Sequence, residues 1–341
     1  MSSLELPDRT LAVVAIEASV CIALSVISIL GNTLVCLAIY KNGKLRLTTN
    51  LFIIALAASD LLCATVEMPL AAAVLITGGW DFSDALCEIQ GFVDVFTTYV
   101  TPAIMGLTAF NRYMRIVKTH HYNNIFSPQK SKIWLSGVWL SLALYLLVGR
   151  VTKWNRFEFI PGYAVCSVVF TTIERKGAHY LVVFGLFSLL PFFIACFSYY
   201  KVFAKLRHHK RQVVPSFNTV TRRTGRMISM REINISRTLS YVAAGYLFCW
   251  IPLWVFAFCK RSFPEKTPRV VELLVTLMLF LSASINPFIY ISTSQAFRRE
   301  LCRLLCWWKV TRIVPGSTNP AVARKREVGN GEEKQQGKLN A

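Results

Sequence analysis

Seven long runs of this chain carry few charged residues, and this pattern constrains the fold more than any other feature. Each run is close to or above the roughly 20 residues of helix that cross the hydrocarbon core of a bilayer. A helix satisfies its own backbone hydrogen bonds, which hydrocarbon cannot do. We therefore predict an all-α membrane protein, a seven-transmembrane helix bundle, with spans at Val13–Tyr40, Asn50–Thr77, Ala85–Met114, Ile133–Val151, His179–Phe203, Thr238–Phe258 and Val270–Ser292.

The composition favours a membrane protein over a large soluble protein with buried helices, which is the alternative for such runs. Only 16% of the residues are charged and the mean hydropathy is +0.45, whereas soluble domains carry about 25% charged residues. The first run is too long for the core of a cleaved signal peptide. We predict that it is retained as a span.

The basic residues are distributed unequally between the two sides of the predicted bundle. A net charge of +20 could indicate a nucleic-acid partner. However, 28 of the 38 Lys and Arg residues fall on the side that holds the C-terminal tail. Basic loops mark the cytoplasmic side of a membrane protein and attract anionic lipid. We predict an N-terminus outside, a tail inside, membrane lipids as partners and no nucleic acid.

Four segments complete the predicted organisation. They are a short extracellular N-terminus (1–12), the transmembrane domain (13–292), an amphipathic eighth helix at the membrane surface (293–308) and a disordered cytoplasmic tail (309–341). The eighth helix has leucines on one face and arginines on the other, which suits the bilayer surface. Its two cysteines, Cys302 and Cys306, either carry acyl anchors or remain free thiols. The basic stretch Arg207–Ser236 predicts a mobile inner loop.

Two cysteines lie clearly in segments that are predicted to be extracellular. Cys87 precedes most of the third span, and Cys166 lies in the loop before the fifth span. The extracellular compartment is oxidising, whereas cysteines inside spans behave as small apolar residues. We predict a disulfide between Cys87 and Cys166.

Asp60 is an ionisable residue in the middle of the second span. A buried carboxylate has to be neutralised, paired or bound to a cation, and such residues are functional candidates. Polar side chains are predicted at a similar depth in other spans, namely Asn32, Thr101, Ser282 and Asn286. Oxygen ligands suit a hard cation such as sodium. A structural hydrogen-bond network is the alternative, and both interpretations stay open.

The third span carries a charge towards each end. Arg112 follows Asp94 by 18 residues, which is five helical turns. Both side chains therefore point to one face, the interior of the bundle. Prolines interrupt three later spans and predict bends, namely Pro191, Pro252 and Pro287. Bent helices around a polar centre indicate a protein that changes conformation.

Short motifs occur along the chain in the order that is typical of one receptor family. They are Gly31-Asn32, Asp60, Cys87, Asn111-Arg112-Tyr113, Trp139, Cys166, Pro191 with Tyr199, Cys249-Trp250-Ile251-Pro252 and Asn286-Pro287-x-x-Tyr290. Over about residues 13–307 the chain resembles a rhodopsin-family (class A) G-protein-coupled receptor. The resemblance implies a plasma-membrane protein with an outer ligand pocket that activates a heterotrimeric G protein inside the cell, with arrestin as a further partner.

The resemblance implies that Arg112 is a switch, restrained in the inactive receptor and released to the G protein. Glu232, just before the sixth span, is the candidate restraint. Asn111 stands where most of the family has an acid, so Arg112 is expected to lose its local partner, and the basal activity stays open. The remaining switch residues are Tyr113, Tyr199, Asn286, Pro287 and Tyr290.

The resemblance also implies a ligand pocket with residues from five spans. The candidates are Glu67, Asp94, Thr98, Phe187, Trp250, Trp254 and Phe280. Asp94 stands where amine receptors of the family hold the ammonium of the ligand, although the expected aromatic cage is incomplete. Lys153 or Arg156 from the outer loop is the alternative partner for this carboxylate.

Three ligand classes stay open. The "NRY" triplet and the "HHYNNIFSPQKS" stretch are similar to melatonin receptors and their orphan relatives, but Phe187 replaces the fifth-span histidine of melatonin receptors. The seventh span contains no lysine, which disfavours retinal, and no other cofactor is predicted. The remaining ligands are a small cation, a neutral melatonin-like or lipid molecule, and a peptide.

Two other classes of membrane protein are weaker alternatives. Transporters and channels also carry charges at mid-membrane, but transporters often contain repeated halves, and this sequence shows no internal repeat. An enzyme would need a nucleophile and base or a metal set. The five histidines lie in loops or at predicted helix ends, and no H-E-x-x-H or G-x-S-x-G motif occurs. The sequence favours a receptor.

Overall fold

Within the residues that the structure describes, seven helices are long and apolar enough to cross a membrane. The computed structural model describes residues 5–213, 229–262 and 267–311. These helices are α1 Leu11–Lys41, α2 Asn50–Thr77, α3 Asp84–Ile116, α4 Pro128–Val151, α5 173–213, α6 Met230–Ser262 and α7 Arg269–Thr293. A shorter helix, α8 Gln295–Thr311, follows them. The predicted bundle of seven membrane-spanning helices is confirmed.

Polar caps explain why several helices begin before the charge-poor runs. Five hydroxyl side chains accept a hydrogen bond from a backbone N–H of the first turn, namely Thr10, Ser83, Ser127, Thr172 and Ser229. Such caps satisfy amide donors that the start of a helix leaves free. The cap therefore sets the first residue of these helices, and hydropathy does not.

The loop between α4 and α5 contains a β-hairpin that was not predicted from the sequence pattern. Strand β1 Asn155–Ile160 pairs antiparallel with β2 Val165–Phe170. In the turn, the backbone carbonyl of Tyr163 accepts a hydrogen bond from Thr276 Oγ1 of α7 at 2.9 Å. The side-chain hydroxyl of Tyr163 accepts a hydrogen bond from Lys260 Nζ of α6 at 3.3 Å. Burial raises the pKa of the Tyr163 phenol, which keeps it a neutral hydroxyl. The hairpin thereby covers one end of the bundle, which we call the hairpin end.

Two helices contain wider π-helical turns immediately before prolines. In α2 the turn spans Cys63–Glu67, ahead of Pro69, and in α5 it spans Tyr180–Leu189, ahead of Pro191. Proline has no amide hydrogen and its ring crowds the preceding turn. A π-turn inserts an extra residue and relieves this conflict. It also changes which side chains point into the bundle after the turn begins.

Helix α8 extends across a division of the chain into two units, Met1–Leu301 and Cys302–Ala341. In the first unit, Glu300 accepts a hydrogen bond from Asn42 at 2.9 Å. Cys302 is exposed, and acylation there stays a prediction. The Cys306 side chain, residues 214–228 of the predicted inner loop and residues 312–341 of the predicted tail lie outside the described residues.

Gly31 of α1 lies directly against Pro287 of α7. A Cβ atom on Gly31 would be 2.7 Å from Pro287 Cγ and 2.9 Å from Pro287 Cβ, whereas carbon atoms in contact are about 3.5–4.0 Å apart. The proline ring cannot turn aside as a long side chain can. The absence of a side chain at Gly31 therefore sets the distance between α1 and α7.

Gly31→Ala should lower the free energy of unfolding by about 1–3 kcal/mol, because the new methyl group overpacks this contact. The measurement is the midpoint of thermal unfolding of the purified protein in detergent. Gly137→Ala in α4 is the matched control, since a Cβ there has nothing within 4 Å and alanine favours a helix over glycine. Equal midpoints for the two variants would contradict this account.

Candidate functional site

Helix α3 is the most buried of the spanning helices and carries a polar cluster towards each end. In its most apolar stretch 83% of the residues are buried, against at most 56% for any other span. Asp94, towards the hairpin end, is 8% exposed, and Arg112, towards the opposite end, is 1% exposed. We call the opposite end the Arg112 end. Both charges have to find their partners inside the bundle.

The hairpin is attached to α3 by a disulfide and to α2 through a glutamine. Cys87 and Cys166 form the predicted disulfide, with their Cα atoms 5.4 Å apart. Gln90, one turn further along α3, accepts a hydrogen bond from the Cys166 amide at 2.9 Å and donates to the Glu67 carbonyl at 3.2 Å. Strand β2 is therefore held above α2 and α3.

Two carboxyl side chains meet beneath the hairpin. Glu67, the last residue of the π-turn in α2, is 2% exposed, and its carboxyl group interacts electrostatically with that of Asp94. Thr97 Oγ1 donates to Glu67 Oε2 at 3.4 Å, and Ser167 Oγ of β2 donates to Asp94 Oδ2 at 2.5 Å. Two neighbouring buried carboxylates repel each other, and this repulsion is relieved either when one of them is protonated or when a cation binds.

The basic loop residues that were the alternative partners of Asp94 lie elsewhere. Within the described residues, no ion pair joins a Lys or Arg to Glu67 or Asp94. Arg156 pairs with Glu158 at 3.5 Å and is 57% exposed, because alternation along β1 puts it on the exposed face. Lys153 is exposed. Asp94 therefore accepts a hydrogen bond from the neutral Ser167 side chain, and not from a basic side chain of the loop.

The predicted aromatic residues of the pocket do not form one cage. Phe280 is fully buried in the apolar core beneath the hairpin. Trp250 stacks on Tyr246 with ring centroids 5.0 Å apart, and Trp254 contacts a phenylalanine of α5 edge-on. Phe187 is half-buried. Thr98 is also half-buried. Its neighbour Thr97 is the threonine that donates to Glu67.

Asp60 lies deeper in α2 and has an amide partner. Asn286 Nδ2 of α7 donates to Asp60 Oδ2 at 2.9 Å, and Asp60 is 3% exposed. The Asn32 amide nitrogen donates to carbonyls of α1 and α7, while its Oδ1 has no partner in the described part of the chain. Thr101 is buried, whereas Ser282 donates to a carbonyl of its own helix. The Asp60 carboxylate and the Asn32 Oδ1, which has no partner among the described residues, are consistent both with a sodium site and with a structural hydrogen-bond network.

Arg112 is paired with Glu232 of α6. Arg112 Nη1 lies 3.0 Å from Glu232 Oε2, and Arg115 Nε lies 3.1 Å from Glu232 Oε1. The exposed fractions are 1% for Arg112, 22% for Glu232 and 44% for Arg115. At the Arg112 end, α3 and α6 are thus joined by one carboxylate between two guanidinium groups, as the candidate restraint requires.

Asn111 remains a partner of Arg112, contrary to the expectation that replacing an acid leaves the arginine without one. Arg112 Nη2 donates to Asn111 Oδ1 at 2.8 Å and also to Thr49 Oγ1. Asn111 Nδ2 donates to Tyr122 Oη at 3.3 Å. An amide oxygen accepts the same hydrogen bond as a carboxylate but carries no net charge, so this interaction is the weaker of the two.

The other predicted switch residues lie in contacts between neighbouring helices. Tyr199 of α5 donates to the Leu239 carbonyl of α6 at 3.0 Å. The Tyr113 ring of α3 contacts the Phe197 ring of α5, with centroids 5.6 Å apart. Tyr290 of α7 is buried and stacks on a phenylalanine of α8. These contacts connect α5 with α6, α3 with α5, and α7 with α8.

Several residues of these clusters were not predicted, among them Gln90, Thr97, Ser167 and Thr49. Gln90 comes one turn after Cys87, and Ser167 directly follows Cys166, so the predicted disulfide already indicates that both lie near α3. Thr97 differs from the predicted Thr98 by one residue, and Thr49 precedes α2. Their roles depend on how α2 packs on α3, for which the sequence contains no signal.

Comparison with known proteins points to one family. Residues 31–290 match the family described as 7 transmembrane receptor (rhodopsin family). The chain is 26% identical to the histamine H2 receptor of Homo sapiens over 83% of this chain and 77% of that receptor. It is 26% identical to melatonin receptor type 1A of Ovis aries over 91% of this chain and 83% of that receptor. It is 25% identical to octopamine receptor beta-2R of Drosophila melanogaster over 86% of this chain and 62% of that receptor.

Proposed function

We propose, because this chain belongs to the rhodopsin family of seven-transmembrane receptors, that its ligand is a small organic cation bound at Asp94 and Glu67. Membership of the family makes the protein a G-protein-coupled receptor for a small ligand. It also disfavours the transporter or channel alternative, and receptors of this family are not enzymes. The chemical class of the ligand is the part that we infer.

The observation that supports a cation is the contact between two buried carboxyl groups. Within the described residues neither has a basic partner, and a charge in this environment is costly until it is paired. An ammonium group has several N–H donors and can bond both carboxyls at once. Two of the relatives are named as receptors for histamine and octopamine, which are amines.

A neutral ligand is the second candidate, and one contact favours it. Ser167 Oγ donates to Asp94, so the hairpin itself supplies a hydrogen bond to this carboxyl group. A ligand that leaves this bond in place would not need a positive charge. One relative is named as a melatonin receptor, and melatonin is uncharged.

We further infer the orientation and the switch. The hairpin end lies outside the cell and the Arg112 end inside, because basic loops favour the cytoplasmic side. The pair between Arg112 and Glu232 holds the ends of α3 and α6 together in the inactive receptor. Its release lets α6 move and opens a surface for the heterotrimeric G protein.

Sodium at Asp60 is part of the same proposal. The carboxylate of Asp60 and the free Oδ1 of Asn32 are hard oxygen donors of the kind that a small cation prefers, and Thr101 is buried as well. We infer that these residues hold sodium in the inactive receptor. Bound sodium then opposes any ligand that favours the active state.

Asp94→Asn should weaken a cationic agonist by about 2–5 kcal/mol, the range for breaking a buried charge pair. The measurement is radioligand competition and G-protein activation in cells, with histamine, octopamine and melatonin as the first agonists to be tried. The affinity of a neutral agonist should change little, because its binding does not depend on the charge of Asp94.

Glu88→Gln is the matched control, since Glu88 is a 42% exposed acid on the same helix that pairs with Arg150. It should leave agonist affinity unchanged, because exposed pairs contribute little. A neutral agonist that loses no potency in Asp94→Asn would refute the cation proposal and support the second candidate.

Glu232→Gln should raise the basal activation of G protein several-fold, because both guanidinium groups lose their charged partner. Arg115→Gln removes only the more exposed of the two pairs and should have a much smaller effect. The assay is nucleotide exchange on purified G protein without agonist. If the two variants behave alike, the Arg112 pair is not the restraint.

Asp60→Asn should abolish the effect of sodium on agonist affinity. In the unmodified receptor, replacing N-methylglucamine chloride by sodium chloride at constant ionic strength should lower agonist affinity, because sodium binds the inactive state. An affinity that does not respond to sodium would leave Asp60 as a member of a structural hydrogen-bond network.

A further inference from the structure

Helices α3 and α6 are connected twice, directly at the Arg112 end and through the hairpin at the hairpin end. The direct connection is the pair of Arg112 with Glu232. At the other end, the disulfide attaches strand β2 to α3. The turn that precedes β2 contains Tyr163, whose hydroxyl accepts a hydrogen bond from Lys260 of α6. A series of contacts therefore runs from α3 through the hairpin to α6.

Lys260 is the residue of α6 at which the hairpin and α7 meet. Its Nζ lies 3.3 Å from the Tyr163 hydroxyl and 5.0 Å from the centroid of the same ring, a distance at which an ammonium is attracted to an aromatic ring. Lys260 also pairs with the Glu272 carboxylate of α7. Thr267 donates to that carboxylate at 2.7 Å, so Glu272 is held in place for the pair.

The turn of the hairpin is packed directly against this ion pair. A side chain at residue 162 would overlap the Glu272 carboxylate, so the position requires glycine. The backbone carbonyl of Tyr163 is held by Thr276 of α7. Glu272 is 13% exposed and Lys260 is 38% exposed. Since Tyr163 and Glu272 are each held by further contacts, Lys260 is the group that has to leave when α6 moves at this end.

Helix α6 can carry a movement from one end of the bundle to the other. It is continuous over 33 residues, Met230–Ser262, which corresponds to about 50 Å. Glu232 lies in its first turn and Lys260 in its last turn. The disulfide keeps the hairpin with α3. A rigid movement that separates Glu232 from α3 therefore also shifts Lys260 relative to the hairpin.

We infer that Lys260 is a second positioning residue of the switch, which keeps α6 close to α3 in the inactive receptor through its contacts with Tyr163 and Glu272. This inference rests on the proposed movement of α6 in activation, but it does not depend on the class of ligand at Asp94. The restraint acts in the receptor without ligand, so its loss increases the population of the open form.

Lys260→Met removes the charge and keeps an unbranched apolar side chain. It should raise the basal activation of G protein about threefold, the factor that a partly exposed ion pair of ordinary strength supplies. Lys260→Arg keeps the charge and should stay close to the parent. The exchange Lys260→Glu/Glu272→Lys restores the pair in reverse and should lower basal activation again. The assay is nucleotide exchange on purified G protein, with the full-length receptor in lipid nanodiscs and without agonist.

Tyr163→Phe tests the hairpin side of the same contact. It deletes only the hydroxyl that accepts from Lys260 and should raise basal activation about twofold, as the loss of one weak hydrogen bond does. The double variant Tyr163→Phe/Lys260→Met should not exceed Lys260→Met alone, because both substitutions remove one shared contact. The thermal midpoint of each variant checks its folding, and each single variant can carry the test by itself.

Arg269→Gln is the matched control. It breaks an ion pair of α7 with Glu17 of α1 that involves neither α6 nor the hairpin, so basal activation should stay at the level of the parent. An equal rise in this control and in Lys260→Met would overturn the inference. Basal activation that stays at the parent level in both Lys260→Met and Tyr163→Phe would also overturn it, and would indicate that α6 bends at Pro252 while its last turns stay with the hairpin.

The same assay separates this inference from the proposed switch at the other end of α6. Glu232→Gln releases only the Arg112 end. If Glu232→Gln raises basal activation and Lys260→Met does not, the switch stands and the second restraint is refuted. If Lys260→Met alone raises it, the second restraint stands without the first. If neither variant raises it, both are refuted.

Discussion

A charged side chain that lies in hydrocarbon must find its partners inside the protein, and this requirement organises the receptor. The cost of an unpaired charge there exceeds that of most other defects in a helical bundle. Helix α3 carries Asp94 and Arg112 and is also the most buried span. The neighbouring helices supply one hydrogen-bonding group after another to these two positions. The arrangement of α2, α6 and the hairpin around α3 follows from where those groups are needed.

The two charged positions are satisfied in different ways, and the difference matters for function. Arg112 is bonded by groups of α6, of its own helix and of the loop before α2. Asp94 is bonded by Ser167 from the hairpin and contacts a second acid, Glu67. The first site therefore has an oppositely charged partner inside the protein, whereas the second brings two acids together without a basic partner among the described residues. A site with uncompensated charge depends on something that binds to it, which is the property of a ligand site.

The helices could be predicted from the sequence because hydropathy over about twenty residues reports the membrane directly. The hairpin could not, although Phe157 and Phe159 alternate with polar residues in β1. Six residues are too few to distinguish a strand from a loop, and the turn passes through Ala164 at φ 56°, a conformation that few non-glycine residues adopt. In the candidate site, the residue types, the disulfide and the pair of Arg112 with Glu232 were predictable, but the other hydrogen-bond partners were not. The contact between Glu67 and Asp94 depends on a π-turn, which shifts the inward face of α2 and leaves no mark on hydropathy.

The surroundings of Arg112 suit a switch better than a permanent link. A guanidinium group has five N–H donors, and here Nη1 bonds Glu232 while Nη2 bonds Asn111 and Thr49. Its Nε has no partner among the described residues. Asn111 offers a dipole where an acid would offer a charge, so the Coulomb attraction rests on Glu232 alone. That glutamate is 22% exposed and also bonds Arg115, so water and a second arginine compete for it. A buried arginine whose one charged partner is also open to solvent is held less firmly than one in a closed pair, and this supports our proposal that a ligand or G protein that prefers the open form moves α6.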